Sequence, residues 1–188
     1  MPDRIPLPKL TIIYKDPFQF KTLYFFLHEW LMENGYRDPT GGDRLFEINY
    51  EEQRTGETNN YRIWWRTSRT PRGSKFLKYH INIDYLGLVI KKVDIMFEGK
   101  KKTADQGELT LWLTTFVEVD WNDYFKDHPI LKYFEEWYKR RWMKAELEGH
   151  KMEMLRDQQK LQGAIKKYFE MWHYMPSEEI YHKKHEDT

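Results

Sequence analysis

Residues 77–85 read LKYHINIDY. Leu77, Tyr79, Ile81, Ile83 and Tyr85 alternate there with Lys78, His80, Asn82 and Asp84. A period of two puts the apolar set on one face of a strand and the polar set on the other. The same period recurs on both sides. Phe46, Ile48 and Tyr50 alternate with Glu47, Asn49 and Glu51, and Tyr61, Ile63 and Trp65 with Arg62, Trp64 and Arg66. Gly87 interrupts, where a turn or a bulge is expected. Val89, Val93, Ile95 and Phe97 resume the β pattern, and Leu109, Leu111, Leu113, Val117 and Val119 make a last strand. Three polar connections are expected: QRTGETNN (53–60), TPRGS (70–74) and GKKKTADQG (99–107). Links this short require antiparallel order.

On either side of the meander the pattern changes. Residues 1–8 read as an extended lead-in, and Leu10 to Tyr14 (LTIIY) as a short strand. Asp16, Pro17 and Gln19 have the spacing of a helix N-terminus. Phe20, Leu23, Tyr24, Leu27, Trp30 and Leu31 then give one helical face, which Asn34-Gly35 closes. From Ile130 to Trp172 no proline occurs, and apolar residues recur at helical spacing. Leu131, Phe134, Tyr138, Trp142 and Ala145 form one stripe, extended by Met152 and Leu155; Leu161, Ile165, Tyr168 and Trp172 form another. A continuous helix of that length would span about 60 Å. A bend is therefore expected at Gly149 or Gly163, with 130–148 on the sheet and 150–172 bent back or projecting. The domain plan is thus a lead-in (1–8), one α+β domain (9–148), a helical continuation (149–175) and a flexible tail (176–188). The fold class is α+β: a curved antiparallel meander of five to six strands on a long C-terminal helix, with one N-terminal helix.

Composition narrows the function. The chain has 188 residues, 17% of them aromatic, which argues for a packed core despite 32% charged residues. Basic and acidic residues nearly cancel, 31 against 30, where a nucleic-acid binder usually carries a positive excess. No cysteine is present, which removes disulfides, thiolate metal sites and thiol nucleophiles. No apolar stretch approaches the roughly 20 residues of a membrane span. The N-terminus lacks the apolar core of a signal peptide, so cytoplasmic residence is expected. No GxSxG, HExxH, Walker A or GxGxxG sequence occurs, and nothing calls for a cofactor.

The order strand, helix, meander, long terminal helix over about residues 9–172 resembles the START/Bet v1-like, helix-grip superfamily. The resemblance lies in element order, with no signature motif. It implies a cavity between the sheet and the terminal helix that takes an apolar or amphipathic ligand.

Four sets of residues are candidates for function. The cavity wall would comprise Ile63, Trp65, Tyr79, Ile81, Leu111 and Leu113 from the sheet, and Phe134, Trp137, Tyr138 and Trp142 from the helix. The same side chains would equally make a plain core. Residues 54–78 carry seven cations against Glu57 alone. There Arg62, Trp64, Arg66, Arg69 and Arg72 suit a protein partner or, less readily, nucleic acid; a solvated face of arginine stems over tryptophan rings is the plainer reading. His80 and Asp84 share a strand face about 13 Å apart, too far to pair. His182 and His185, with His173 upstream, have a metal-like spacing but no fourth ligand, so no metal site is expected. Finally, Lys139, Arg140, Arg141 and Lys144 beside Trp137, Trp142 and Met143 suit a membrane surface or a partner's groove, or ordinary packing with basic stems reaching water. Self-association through 150–172 is a further possibility.

Overall fold

The structure is a computed structural model that describes residues 3–39, 46–74, 76–97, 100–121 and 143–173. Alternation does dictate strands: β3 (Glu47–Thr55), β4 (Thr58–Arg69), β5 (Leu77–Phe97) and β6 (Lys100–Val119) form an antiparallel meander. The N-terminal strands β1 (Asp3–Pro6) and β2 (Leu10–Tyr14) both pair antiparallel with the free side of β6. The result is a six-stranded antiparallel sheet with two helices, α1 (Phe20–Glu33) and α2 (Met143–His173).

The register aligns the apolar residues in rows across one face. Ile63, Tyr85, Leu111 and Ile12 form one row, and Trp65, Ile83, Leu113 and Leu10 the next. Both helices cover this face. Leu23, Leu27 and Leu31 of α1 and Met154, Leu161, Ile165, Tyr168 and Phe169 of α2 join the sheet residues in one buried cluster. Tyr14 stacks on Phe169 at 4.0 Å, and Tyr24 meets the Trp65 ring edge-on at 4.7 Å. Tyr168 donates its hydroxyl to the Gln19 carbonyl at 3.0 Å, tying α2 to the start of α1.

Several expectations change. The lead-in is in part a strand, β1. Both QRTGETNN and the charged GKKKTADQG belong largely to strands. The first contains only a two-residue turn, where Gly56 takes φ 61°. In the second, alternating charges hide the period, because Lys92 pairs with Asp105 (2.5 Å) and Lys101 with Asp94 (2.9 Å) instead of burying apolar surface. Helix α1 starts at Phe20, not at Asp16. Phe18 is held extended by reciprocal backbone hydrogen bonds with Asp105 (2.9 and 2.7 Å), and the Asp105 carboxylate accepts the Phe20 N–H at 2.9 Å. The expected close at Asn34-Gly35 is present, with Gly35 at φ 80°. Helix α2 runs unbroken through Gly149 and Gly163, both on its exposed side. Its segment 147–169 supplies core residues, among them Met154, Leu161 and Ile165. Leu161, Ile165 and Tyr168 of the second stripe are buried as expected, whereas in the first Met152 is exposed and Met154 is buried in its stead. The part of the expected helix over 130–142 and the tail from 176 fall outside the described residues.

Gly87 does mark a bulge, slightly downstream. Leu88 faces Glu108 and Lys91 faces Gln106, so Val89 and Ile90 stand opposite Gly107 alone. Val89 takes φ 52°, a strained value for a β-branched residue, and its N–H is met by the Asn60 side chain at 2.8 Å. The bulge turns Ile90 into the core, in space left by Gly87 and Gly107. A Cβ at Gly107 would lie 2.7 Å from Ile90 Cδ1 and 2.7 and 2.8 Å from the Val89 and Leu88 carbonyl oxygens. Gly107→Ala is expected to lower stability by about 1–3 kcal/mol in urea unfolding, through overpacking. Gly163→Ala meets open space and should instead raise it, by up to about 1 kcal/mol. Equal behaviour of the two variants would refute this account of the bulge.

Candidate functional site

The six sheet residues proposed as a cavity wall come together as expected, but they close on one another. Ile63, Trp65, Tyr79, Ile81, Leu111 and Leu113 each have 0% of their surface exposed. A void large enough for water would leave accessible surface on the side chains beside it, and these have none. The four helix residues named with them, Phe134, Trp137, Tyr138 and Trp142, lie outside the described residues, as does most of the basic set at 139–144.

An open groove lies beside this core, between α1 and the sheet, with a volume of about 520 Å³. Phe20, Tyr24 and Phe25 make the helix wall; Tyr50 and Tyr61 face them from β3 and β4. Phe20 and Tyr61 stack at 4.6 Å, while Phe25 and Tyr50 are about half exposed. Lys21 lies 5.9 Å over the Phe25 ring. Glu47 also lines the groove, and burial raises its pKa. Burial pushes the Tyr50 hydroxyl up to about 12, so it remains a neutral donor, to Glu52 at 3.3 Å. At Glu47 the effect of burial is opposed by the Trp65 indole N–H, directed at its carboxylate, while the buried Tyr85 hydroxyl makes no hydrogen bond among the described residues. The groove ends at Lys92 and Asp105, which also border a smaller opening of about 250 Å³ beside Arg54, Glu57 and Lys91. Ring faces, neutral hydroxyls and an ion pair are the chemistry of holding a molecule.

A second constellation joins α2 to the sheet. Arg69 binds Asp157 at 2.8 Å and Glu153 at 3.0 Å, and its guanidinium lies over the rings of Tyr36 (5.0 Å) and Tyr79 (5.3 Å). Tyr36 donates to Asp157 at 2.9 Å and Tyr79 to Glu153 at 2.9 Å. The Tyr79 hydroxyl has one proton, so His150, whose Nδ1 is 2.5 Å away, is the donor in that contact. Burial, aided by the neighbouring carboxylates, raises both tyrosine pKa values far above 10.0. Neutral at ordinary pH, they serve as donors rather than bases, and the cluster acts as a polar clamp. Arg69 was expected on the outer face with Arg62 and Arg66. It has the parity of Ile63 and Trp65, and so points inward.

On the outer face, Arg62 and Arg66 flank the exposed Trp64 as expected. Their charges are taken up internally, Arg66 by Asp84 at 2.6 Å and Arg62 by Glu51 at 3.5 Å. The cations over rings are different ones: Lys9 over Trp112, Arg4 over Phe116 and Lys78 over Trp121. Arg72 stands apart, exposed in the β4–β5 turn. His80 meets Glu118 at 2.8 Å rather than Asp84, with burial holding the imidazole below its usual pKa against the pull of that carboxylate. Among the described residues no three His, Asp or Glu side chains gather as a metal site, and His182 and His185 lie outside them. No described helix is long and apolar enough to cross a membrane.

Neither a protein-family model, nor a curated protein, nor a solved structure matches the chain.

The clamp predicts an alkaline limit. Folded Tyr36 and Tyr79 hold their protons more tightly than the unfolded chain does. The stability this gives is complete below pH 10.0 and is lost as the pH climbs past it toward their folded values. Unfolding free energy should fall steeply above about pH 10, and the ultraviolet band of tyrosinate should appear for these two residues only with unfolding. Tyr36→Phe, which strands buried Asp157 without its donor, should cost about 1–3 kcal/mol at neutral pH and flatten the alkaline slope. Early, reversible ionisation of both residues in the folded protein would contradict the clamp.

Proposed function

We propose that this chain is a non-enzymatic binding module for an apolar or amphipathic small molecule, held in the groove between α1 and the β3–β4 hairpin. The supporting observation is an open, aromatic-walled space of about 520 Å³, within the size range of small-molecule sites, beside sheet side chains that have no exposed surface. The element order also supports a helix-grip-like reading: the first strands close on the last strand, and a long terminal helix crosses the inner face. In this reading the ligand space lies on the α1 side of the sheet.

A protein partner on the outer face is the second reading. Trp64, exposed beside Arg62, favours it, since such residues dominate interface energetics. Nucleic acid is favoured less, because Arg62 and Arg66 already have carboxylate partners.

The groove reading is tested with phenylnaphthylamine, a neutral aromatic probe that brightens on leaving water. One saturable site per chain is expected. Tyr61→Ala should weaken it roughly threefold to tenfold by removing one stacking face. Trp64→Ala, on the opposite face, should leave it unchanged. Saturable binding that ignores Tyr61 would place the ligand elsewhere.

A further inference from the structure

We propose that the groove's natural ligand is a small organic cation, an amine or quaternary ammonium on an apolar body, whose positive charge sits between the Glu47 carboxylate and the ring faces of the groove. This rests on the groove being the binding site and adds the chemical class and orientation of what it holds.

The charged side chains lining the groove are Lys21, Glu47, Lys92 and Asp105. Two of them serve each other. Lys92 meets Asp105 at 2.5 Å, and the other Asp105 oxygen accepts the Phe20 N–H at 2.9 Å. Glu47 is differently placed. It stands opposite Trp65 in the β3–β4 ladder, and so shares the inner face of the sheet with that residue and with Tyr61 and Ile63. It pairs with no Lys, Arg or His among the described residues, and the Trp65 indole N–H is the polar group directed at its carboxylate. A half-buried carboxylate without a counter-charge is unfavourable, and a ligand that brings the counter-charge relieves it.

The rings supply the other half of the recognition. Phe20, Tyr24, Phe25, Tyr50 and Tyr61 line the same space, and a ring face attracts a cation through its quadrupole. Lys21 already uses one of them, with its ammonium 5.9 Å over Phe25, one helical turn along α1. Lys21 is exposed and makes no ion pair with Glu47, so a ligand's cation competes with it for the ring without losing a salt bridge. Glu52 adds to the negative potential, accepting from Tyr50 at 3.3 Å and from Asn59 at 3.0 Å beside the same tyrosines. An anionic ligand would set its charge against Glu47, and Lys92 has Asp105 as its partner. The apolar body then lies along Phe20 and Tyr61, whose rings stack at 4.6 Å.

The test uses two compounds with one ring system, naphthylmethyl-trimethylammonium and the neutral naphthylmethanol, each displacing phenylnaphthylamine from the full chain. At neutral pH and low salt the cation should bind roughly fivefold tighter, a margin that shrinks as salt rises. Glu47→Gln should bring the two compounds to equal affinity, and Lys21→Gln should widen the margin by removing a competing ammonium. On the unaltered chain the margin should also disappear as the pH falls through the raised Glu47 pKa, because only the ionised carboxylate attracts the cation; this arm decides the matter if Glu47→Gln does not fold. If naphthylmethanol binds through Tyr61 and the cation binds no tighter, the cation assignment is wrong and the groove reading stands. A margin that survives both Glu47→Gln and acid overturns the assignment to Glu47. If neither compound nor phenylnaphthylamine binds, both readings fall.

Discussion

Asp105 connects parts of the molecule that are otherwise far apart in sequence. Its backbone pairs with Phe18, its carboxylate receives the first N–H of α1, and its other oxygen holds Lys92 of the neighbouring strand. A buried carboxylate is costly unless its charge and lone pairs are matched, and here they are. The bonds decide where α1 begins, and so which of its residues face the sheet. Had the helix started at Asp16, Phe18 would have been drawn out of the core and Phe20 turned away from Tyr61. The groove exists because a strand residue caps the helix.

The polar clamp holds the other helix. Arg69 gathers two carboxylates and two tyrosine rings, so α2 is held at a fixed height on the sheet as well as by apolar contact. Apolar packing alone is tolerant of sliding, whereas a guanidinium with its directed donors is not. Between clamp and cap, the inner face is filled by α1 and α2 together. Among the described residues the open volume lies on the flank, where α1 stands beside the outer hairpin.

The strands with apolar alternation were readable from sequence, since burial of one face leaves its period in the residues. So was the end of α1, where Gly35 supplies a positive φ. The first part of β6, residues 100–106, was not, because Lys101 and Asp105 pair with Asp94 and Lys92 across the ladder and leave no hydrophobic period. The start of α1 misled for a different reason. Asp16 and Pro17 satisfy the local rules, but the cap that operates comes from 85 residues away. Arg69 could have been placed by parity alone, since it follows Ile63, Trp65 and Thr67 on the same side of β4. The groove was beyond reach from sequence, because Phe20, Tyr50 and Tyr61 read individually as core aromatics and only the register shows which of them the helices leave uncovered.

The closure of the sheet also bears on how the chain acquires its structure. Asp3 pairs with Val119, and α2 is made after all six strands. The β3–β6 meander joins neighbours in sequence and can assemble early. The N-terminal strands must wait for β6, and Tyr14 and Tyr79 lack their partners Phe169, His150 and Glu153 until α2 arrives. Distant pairings of this kind slow folding and prolong the exposure of sticky intermediates. A chain emerging from the ribosome therefore keeps part of the sheet's aromatic inner face open until α2 has been made.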